Sequence, residues 1–430
     1  MRMILTVKGQ ATEEVLMTGA PGAPEVTADP GTEYQTLLGF GGAFTEAAGL
    51  TFRKLGKQNR EKILKAYFDP EEGIGYSLGR VHIGSCDFSE TMHDYLAGED
   101  VSTFDISRDE ENGVFSLYRA AVETRGEPIR LLATPWSPPA FMKDNKDRKH
   151  GGRLLAEYAP DYAKYIVTYL KEAAAKGLTF EFLSVQNEPD AKQTWDSCLY
   201  SPEEESAFVK NHLGSALKEA GLGDIKLLVH DHNRDILLKR ALPIYQDKDA
   251  SAYIWGTAVH WYVSEQFGES AKLHEAHPDK HLLFTEGCVE GGPAPGNWAN
   301  GERYARNIIG DLSNWVEGWI EWNLILNAEG GPNHVKNYCC APILCDTETD
   351  TLTFNPSFTC IGHFSKYIKP GAVRIKHTSD NQNLKILAAK NPGGEVVAVL
   401  LNETDSEQRF AINGAGAVMP PHSIATVVGL

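Results

Sequence analysis

Two glutamates in this chain stand where an apolar run ends and a polar tip begins. Phe180 to Asp190 reads FEFLSVQNEPD and His281 to Cys288 reads HLLFTEGC. The aromatic and β-branched residues of both runs describe interior strands. Each run closes on a carboxylate, Glu188 before Pro189 and Glu286 before Gly287. Proline lacks the N–H that a continuing ladder needs, so the first strand is expected to stop at Glu188. Strand carboxyl ends are where α/β folds hold their chemistry. Either glutamate alone could be a solvated strand end, but the pair asks for a common explanation. One carboxylate ionised to attack an anomeric carbon and one protonated to release an alcohol are the equipment of a retaining glycosidase. Asn187 adds an amide with two donors and one acceptor, suited to a sugar hydroxyl.

Such a pair needs a scaffold that brings distant strands together. From Tyr34 onward, strand-like runs alternate with helical patterns, the rhythm of βα units and a parallel sheet. Eight runs are visible: Tyr34 to Phe44, Ser77 to Ser85, Ile129 to Ser137, Phe180 to Glu188, Lys226 to Asn233, Thr257 to Tyr262, His281 to Gly287 and Gly318 to Leu326. Eight is the number that closes a barrel. Glu188 and Glu286 then fall on the fourth and seventh strands. Strands about 4.8 Å apart and tilted by about 36° give a barrel about 15 Å across, with strands three apart separated by about 14 Å. Two glutamate side chains reaching roughly 4 to 5 Å each leave on the order of 5 Å between carboxyls, the retaining rather than the inverting spacing. Arg80 and Asp87 follow from the second run, Trp136 lies on the third, His260, Trp261 and Tyr262 on the sixth, and Trp322 and Asn323 on the eighth. Flat faces for the C–H side of a sugar and polar groups for its hydroxyls suit a carbohydrate site. Singly, each aromatic is more often core than ligand.

The remaining stretches position rather than react. Asp161 to Lys176, followed by Gly177, and Pro202 to Ala220 have helical spacing. The HDHN segment, His230 to Asn233, has two histidines but no companion motif for a metal, and reads as loop and barrel lining. Gly39, Gly41 and Gly42 lack a phosphate-loop pattern and read as a tight bend. The first 30 residues and those beyond Pro370 carry strand patterns without helices. The expected domains are therefore residues 1–30 and 371–430 joined in one β-sandwich, flanking a barrel over 31–370.

A net charge of -17 argues against nucleic acid or anionic membrane as partner, and no stable membrane association is expected. Seven scattered cysteines without a CxxC pair disfavour a disulfide framework and a structural zinc site. No signal peptide is visible before Glu13, so a cytoplasmic location is expected, with secretion open to a longer chain. Oligomeric state is not legible.

The stretches GFGGAFTEA (Gly39 to Ala47), GRVHIGSCDFS (Gly79 to Ser89), TPWSPPAFMK (Thr134 to Lys143), QNEP, AVHWY, FTEGC, EWNLILNAEGGPNHVKN (Glu321 to Asn337) and IGHFSKYIKPG (Ile361 to Gly371) resemble glycoside hydrolase family 30, which includes the glucocerebrosidases. The resemblance implies an α/β fold, a (β/α)8 TIM barrel with a β-sandwich formed from both chain ends. It implies a retaining exo-acting β-glycosidase, a β-glucosidase in particular, with Glu188 as acid/base and Glu286 as nucleophile. It further implies substrate-binding roles for Arg80, Asp87, Trp136, Asn187, His260, Tyr262, Trp322 and Asn337, with no metal and no organic cofactor. The substrate would be a small β-glycoside or an oligosaccharide. Endo-β-1,6-glucanase, β-xylosidase and β-fucosidase activities belong to the same family, and a catalytically silent sugar-binding barrel is the rival from another class. His334 stands where glucocerebrosidases carry tryptophan, which weighs against a lipid substrate.

Overall fold

The computed structural model describes residues 1–18 and 22–430. Eight parallel strands close into a barrel: Gly39–Ala43, Leu78–Ile83, Arg130–Pro135, Phe180–Ser184, Lys226–Asn233, Ile254–His260, His281–Glu286 and Gly318–Glu321. Each of the eight predicted runs supplies one of them. The last strand pairs with the first, Gly318 opposite Gly39 and Glu321 opposite Gly42. Leu78, Leu132, Phe182, Leu228, Ala258, Leu283 and Ile320 fill the barrel interior. Side chains alternate along a strand. Two residues nearer the carboxyl ends, the same strands therefore turn Arg80, Thr134, Ser184, His260 and Thr285 inward, all fully buried. The interior changes from apolar to polar within one repeat, and that change places the site.

Helices cover the barrel, among them Ala159–Ala175, ending before Gly177 at φ +95°. The segment from Pro202 runs as α-helix to Phe208, as a π-turn over Val209–Leu213 and as α-helix again over Gly214–Glu219. Among the described residues no helix is long and apolar enough to cross a membrane.

Three expectations are corrected. The first run is two strands: Glu25–Thr36 belongs to the sandwich sheet, and the barrel strand begins at Gly39. The boundary at residue 30 therefore moves to the bend after Thr36, where Gly39 takes φ +120°. Gly41 marks a close approach instead of a bend, since a Cβ there would lie 1.9 Å from the Leu78 carbonyl oxygen. Finally, the fourth strand ends at Ser184, well before Pro189.

The sandwich is a nine-stranded sheet. The first strand of the chain, Arg2–Val7, pairs antiparallel with the last, Ser423–Val428, so the two chain ends build one unit. Along Leu384–Lys390 and Val396–Asn402, Ile386, Ala388, Ala398 and Leu400 face the sandwich core. Their neighbours Leu387, Ala389, Val397, Val399 and Leu401 face the barrel. Burial on both faces accounts for the unbroken apolar run VVAVLL.

His363, on the helix Pro356–Ser365, ties the two units together. Its Nδ1 lies 2.9 Å from Thr426 Oγ1, and its Nε2 lies 2.8 Å from Thr6 Oγ1. The Thr426 hydroxyl donates to the His363 carbonyl oxygen, so Thr426 accepts from Nδ1–H and Nε2 takes a proton from Thr6. The ring is held neutral, and burial pushes its pKa down to about 3. The unfolded chain would bind a proton near pH 6.5 and the folded one would not, so this contribution is complete above that pH and lost as pH falls. The stability difference between wild type and His363→Gln should shrink by about 1.4 kcal/mol per pH unit below about 6.5. Denaturant unfolding between neutral and acidic pH checks this, and a pH-independent difference would count against it.

Candidate active site

Arg80, at the centre of the second barrel strand, organises the polar layer. Its Nη1 donates to Glu286 Oε2 at 2.6 Å and to the Thr285 carbonyl at 3.1 Å. Nη2 donates to Asn187 Oδ1 at 2.9 Å and Asp231 Oδ2 at 2.8 Å, and Nε to Thr134 Oγ1 at 3.2 Å. Every donor direction of the guanidinium fork is used. Its face lies 4.8 Å from the Trp136 ring centroid and 5.5 Å from that of Trp322.

Three local departures from regular strand bring the acids to this layer. Past Ser184 the backbone stays wedged between neighbours: Asn187 N–H bonds to the Pro135 carbonyl and Glu188 N–H to that of Asp231. Glu188 itself takes φ +45°. On the fifth strand, period-two alternation from Leu228 would turn His230 inward. Left-handed φ values at His230 and Asp231, +74° and +39°, shift the register and turn Asp231 inward instead. On the seventh strand an irregularity between Phe284 and Glu286 lets Thr285 and Glu286 both reach the interior. Positive φ in such residues carries a conformational cost that the surrounding bonds offset.

His260 bridges two acids, with Nδ1 3.2 Å from Glu188 Oε1 and Nε2 2.9 Å from Asp231 Oδ1. Tyr262 donates to Glu286 Oε1 at 2.9 Å. Glu188, His260 and Glu286 each place one donor atom within 4.8 Å of the others. Above them lies a cavity of about 330 Å³. Asp87, Trp136, Asn187, Glu188, Tyr262, Glu286, Trp322 and Asn337 all line it. Trp136 and Trp322 stack with centroids 5.3 Å apart. Asp87 Oδ2 accepts from Asn333 and Asn337, each at 3.2 Å.

Eight of the ten predicted residues thus share one cavity. Arg80 and His260 do not line it; they lie fully buried beneath it and hold the carboxylates. Their expected contact with substrate is corrected to a positioning role, because every polar atom they carry is committed to protein. Trp261 packs into the core against Tyr304 and Trp319, and Asn323 bonds to Thr45 Oγ1. His334 is tied by its backbone to Asp87 and lies outside the lining. Asp231, Gln193, Trp195, His232, Asn233, Glu290 and Asn333 were not singled out as site residues. Asp231 had a signal, its place at the carboxyl end of a barrel strand. Gln193, Trp195 and Glu290 sit on loops with no pattern to mark them.

Residues 37–368 match the glycosyl hydrolase family 30 TIM-barrel domain, and residues 371–427 the glycosyl hydrolase family 30 beta sandwich domain. The chain belongs to glycosyl hydrolase family 30. It is 33% identical over 426 residues to lysosomal acid glucosylceramidase of Mus musculus, covering 93% of this chain and 82% of the relative. It is 28% identical over 415 residues to an endo-1,6-beta-D-glucanase of Neurospora crassa, covering 91% and 84%. The crystal structure of SrfJ from Salmonella typhimurium superposes with a TM-score of 0.93 at 35% identity, over 100% of this chain and 99% of that one. This chain is a glycoside hydrolase, acting on a carbohydrate or glycolipid.

The electrostatics of this family 30 site divide its acids. Asp231 is held well below the usual carboxylate range: burial acts against its charge, and Arg80 and His260 overcome that. Burial likewise opposes charge on His260, but Glu286, Asp231 and Glu188 raise its pKa to about 9. Burial pushes Glu286 up, and the charges of His260 and Arg80 limit the rise. At Glu188 burial is outweighed by the hydrogen bond and the charge of His260, which hold the carboxyl down. Burial and the nearby Glu286 push Asp87 up to about 7. A divalent cation among Glu188, His260 and Glu286 would meet the Arg80 guanidinium 2.6 Å from Glu286 and an imidazole whose two nitrogens are both engaged. The donor set suits proton transfer better than metal binding.

Proposed function

We propose that this family 30 hydrolase is a retaining, exo-acting β-glycosidase, a β-glucosidase in particular, working by double displacement with Glu286 as nucleophile and Glu188 as acid/base. The observation that carries the reading is the approach of Glu188 and Glu286 to within 4.8 Å. That spacing is short of the roughly 6.5–9.5 Å over which an inverting enzyme seats its water between its carboxyls. Both oxygens of Glu286 receive donors, from Arg80 and Tyr262, an arrangement an ionised carboxylate satisfies. Glu188 keeps one oxygen free, and its side chain is 12% exposed to the cavity.

In the first step Glu286 attacks the anomeric carbon as the glycosidic bond breaks, and the departing oxygen takes a proton from Glu188. In the empty site that proton resides on His260, which passes it from Nδ1 to Glu188 Oε1 as the glycoside excludes water. Glu188 then removes a proton from the water that opens the glycosyl-enzyme ester. The buried side chains of Asp87, Trp136 and Trp322, with half-buried Asn337 beside them, support cleavage from a chain end. The relatives named glucosylceramidase and endo-1,6-beta-D-glucanase support glucose as the glycone.

A panel of nitrophenyl β-glucoside, β-xyloside and β-fucoside, followed by NMR of the first sugar released, tests this. Turnover of the glucoside with the β-anomer appearing first is expected. An α-anomer first would overturn retention, preference for another sugar would overturn the glycone, and no turnover across the panel would favour a silent barrel.

A further inference from the structure

The inner polar groups of the cavity are committed to one another: Asp87 to Asn333 and Asn337, Asn187 to Arg80, Glu286 to Arg80 and Tyr262. The groups at its mouth are not. Gln193, Trp195, His232 and Glu290 line the same cavity. Among the described residues, the Gln193 amide, Trp195 Nε1, His232 Nε2 and the Glu290 carboxylate have no hydrogen-bond partner; the bonds at Gln193 and Trp195 are made by backbone atoms, and that at His232 by Nδ1.

His232 is the most informative of these. It is only 8% exposed, and the Asn233 backbone N–H donates to its Nδ1 at 2.8 Å. A backbone amide can only donate, so Nδ1 carries a lone pair. Burial lowers the pKa of the ring against the opposing charge of Glu188, keeping it neutral. The remaining ring proton therefore sits on Nε2, a fixed donor with no protein acceptor, in a cavity shared with Glu188. Nε2–H faces the cavity, where water satisfies it until a ligand acceptor takes the water's place; a ligand without an acceptor there would leave it unpaired at a cost. Glu290, raised by burial and by Glu188 against the opposing charge of Arg303, supplies the opposite kind of group in the same cavity.

We propose that the leaving-group side of the cavity is a subsite for a second sugar, with His232 Nε2–H donating to one hydroxyl oxygen, the Glu290 carboxylate accepting from another hydroxyl, and the Trp195 face packing on the sugar's C–H side. This rests on Glu188 being the acid, which makes its side of the cavity the leaving-group side. An alkyl leaving group offers hydrocarbon at these positions, and would strand both the imidazole donor and the carboxylate.

The test compares kcat/KM for a β-linked glucosyl-glucose disaccharide with that for octyl β-glucoside. Octanol is the more basic leaving alcohol and needs the proton more, so a change acting through Glu188 slows the octyl glucoside at least as much and does not lower the ratio. Wild type is expected to prefer the disaccharide, and His232→Phe to lower the disaccharide-to-octyl ratio about tenfold. Glu290→Ala, at an exposed position, should lower the ratio in the same direction and keeps the test open if His232→Phe does not fold. An unchanged ratio in both variants, or wild type preferring the octyl glucoside, overturns the sugar subsite and leaves the hydrolase reading standing. Failure to turn over any β-glucoside, the activated aryl glucoside included, overturns the reading beneath it.

Discussion

Glu286→Gln is expected to lose turnover of an activated aryl β-glucoside by about 10⁴-fold or more, while Glu188→Ala keeps rapid glycosylation and stalls at the second step. The asymmetry follows from what each carboxylate must do. A nitrophenolate departs without a proton, so loss of Glu188 spares bond cleavage, but the water that opens the glycosyl ester then has no base. The Glu188→Ala enzyme should therefore show a burst followed by slow release, and added azide should restore turnover as a β-glycosyl azide. Loss of Glu286 removes the carboxylate that would attack, one whose two oxygens are held by Arg80 and Tyr262, and no ester forms. The amide of the Gln variant presents an NH₂ where one of those donors now points. Thermal unfolding of the variant should be checked alongside its rate. Equal residual activity in the two variants would sink the assignment of roles.

Arg80→Met should be the most damaging substitution that touches no substrate. The guanidinium is fully buried and pairs with Asp231 and Glu286, themselves buried. Removing one partner of a buried ion pair costs about 3–5 kcal/mol, because the remaining charges are left uncompensated. The same charge opposes the upward push of burial on Glu286, so its loss raises that carboxyl further. Turnover then requires a higher pH: the acid limb of kcat/KM should move up by about one unit or more, with the maximal rate falling on the order of 10²-fold or more. Arg80→Lys should not restore it, since three ammonium donors on a flexible stem cannot reproduce the five-donor fork. Denaturant unfolding and a pH–rate profile read the two effects separately. An acid limb that stays in place while activity falls would show that Arg80 acts by shape alone.

Much of this molecule was legible before its structure. The eight apolar runs and their alternation with helical segments set the barrel. The strand count set Glu188 and Glu286 three strands apart, and side-chain reach predicted a carboxyl spacing of about 5 Å, against 4.8 Å or less between their nearest donor atoms. Strand patterns at both ends predicted a sandwich, which the pairing of Arg2–Val7 with Ser423–Val428 completes. These features are legible because backbone hydrogen bonding and burial act through period and residue type, which any sequence displays.

Other features depended on contacts between residues far apart in the chain. Period two along the fifth strand predicts His230 inward, yet a left-handed turn at His230 and Asp231 puts Asp231 beneath the cavity. Similarly, Arg80 and His260 carry the residue types of sugar ligands but are consumed by Asp231, Asn187, Glu188 and Glu286. The mouth residues Gln193, Trp195 and Glu290 come from loops whose paths are set by packing. By itself the sequence determined the barrel, the paired acids and the class of chemistry, because these rest on local pattern and on the arithmetic of strands. Only the tertiary structure decided which polar groups are spent holding charge and which remain free for a ligand, because donors and acceptors are satisfied in space, by neighbours that sequence order does not reveal.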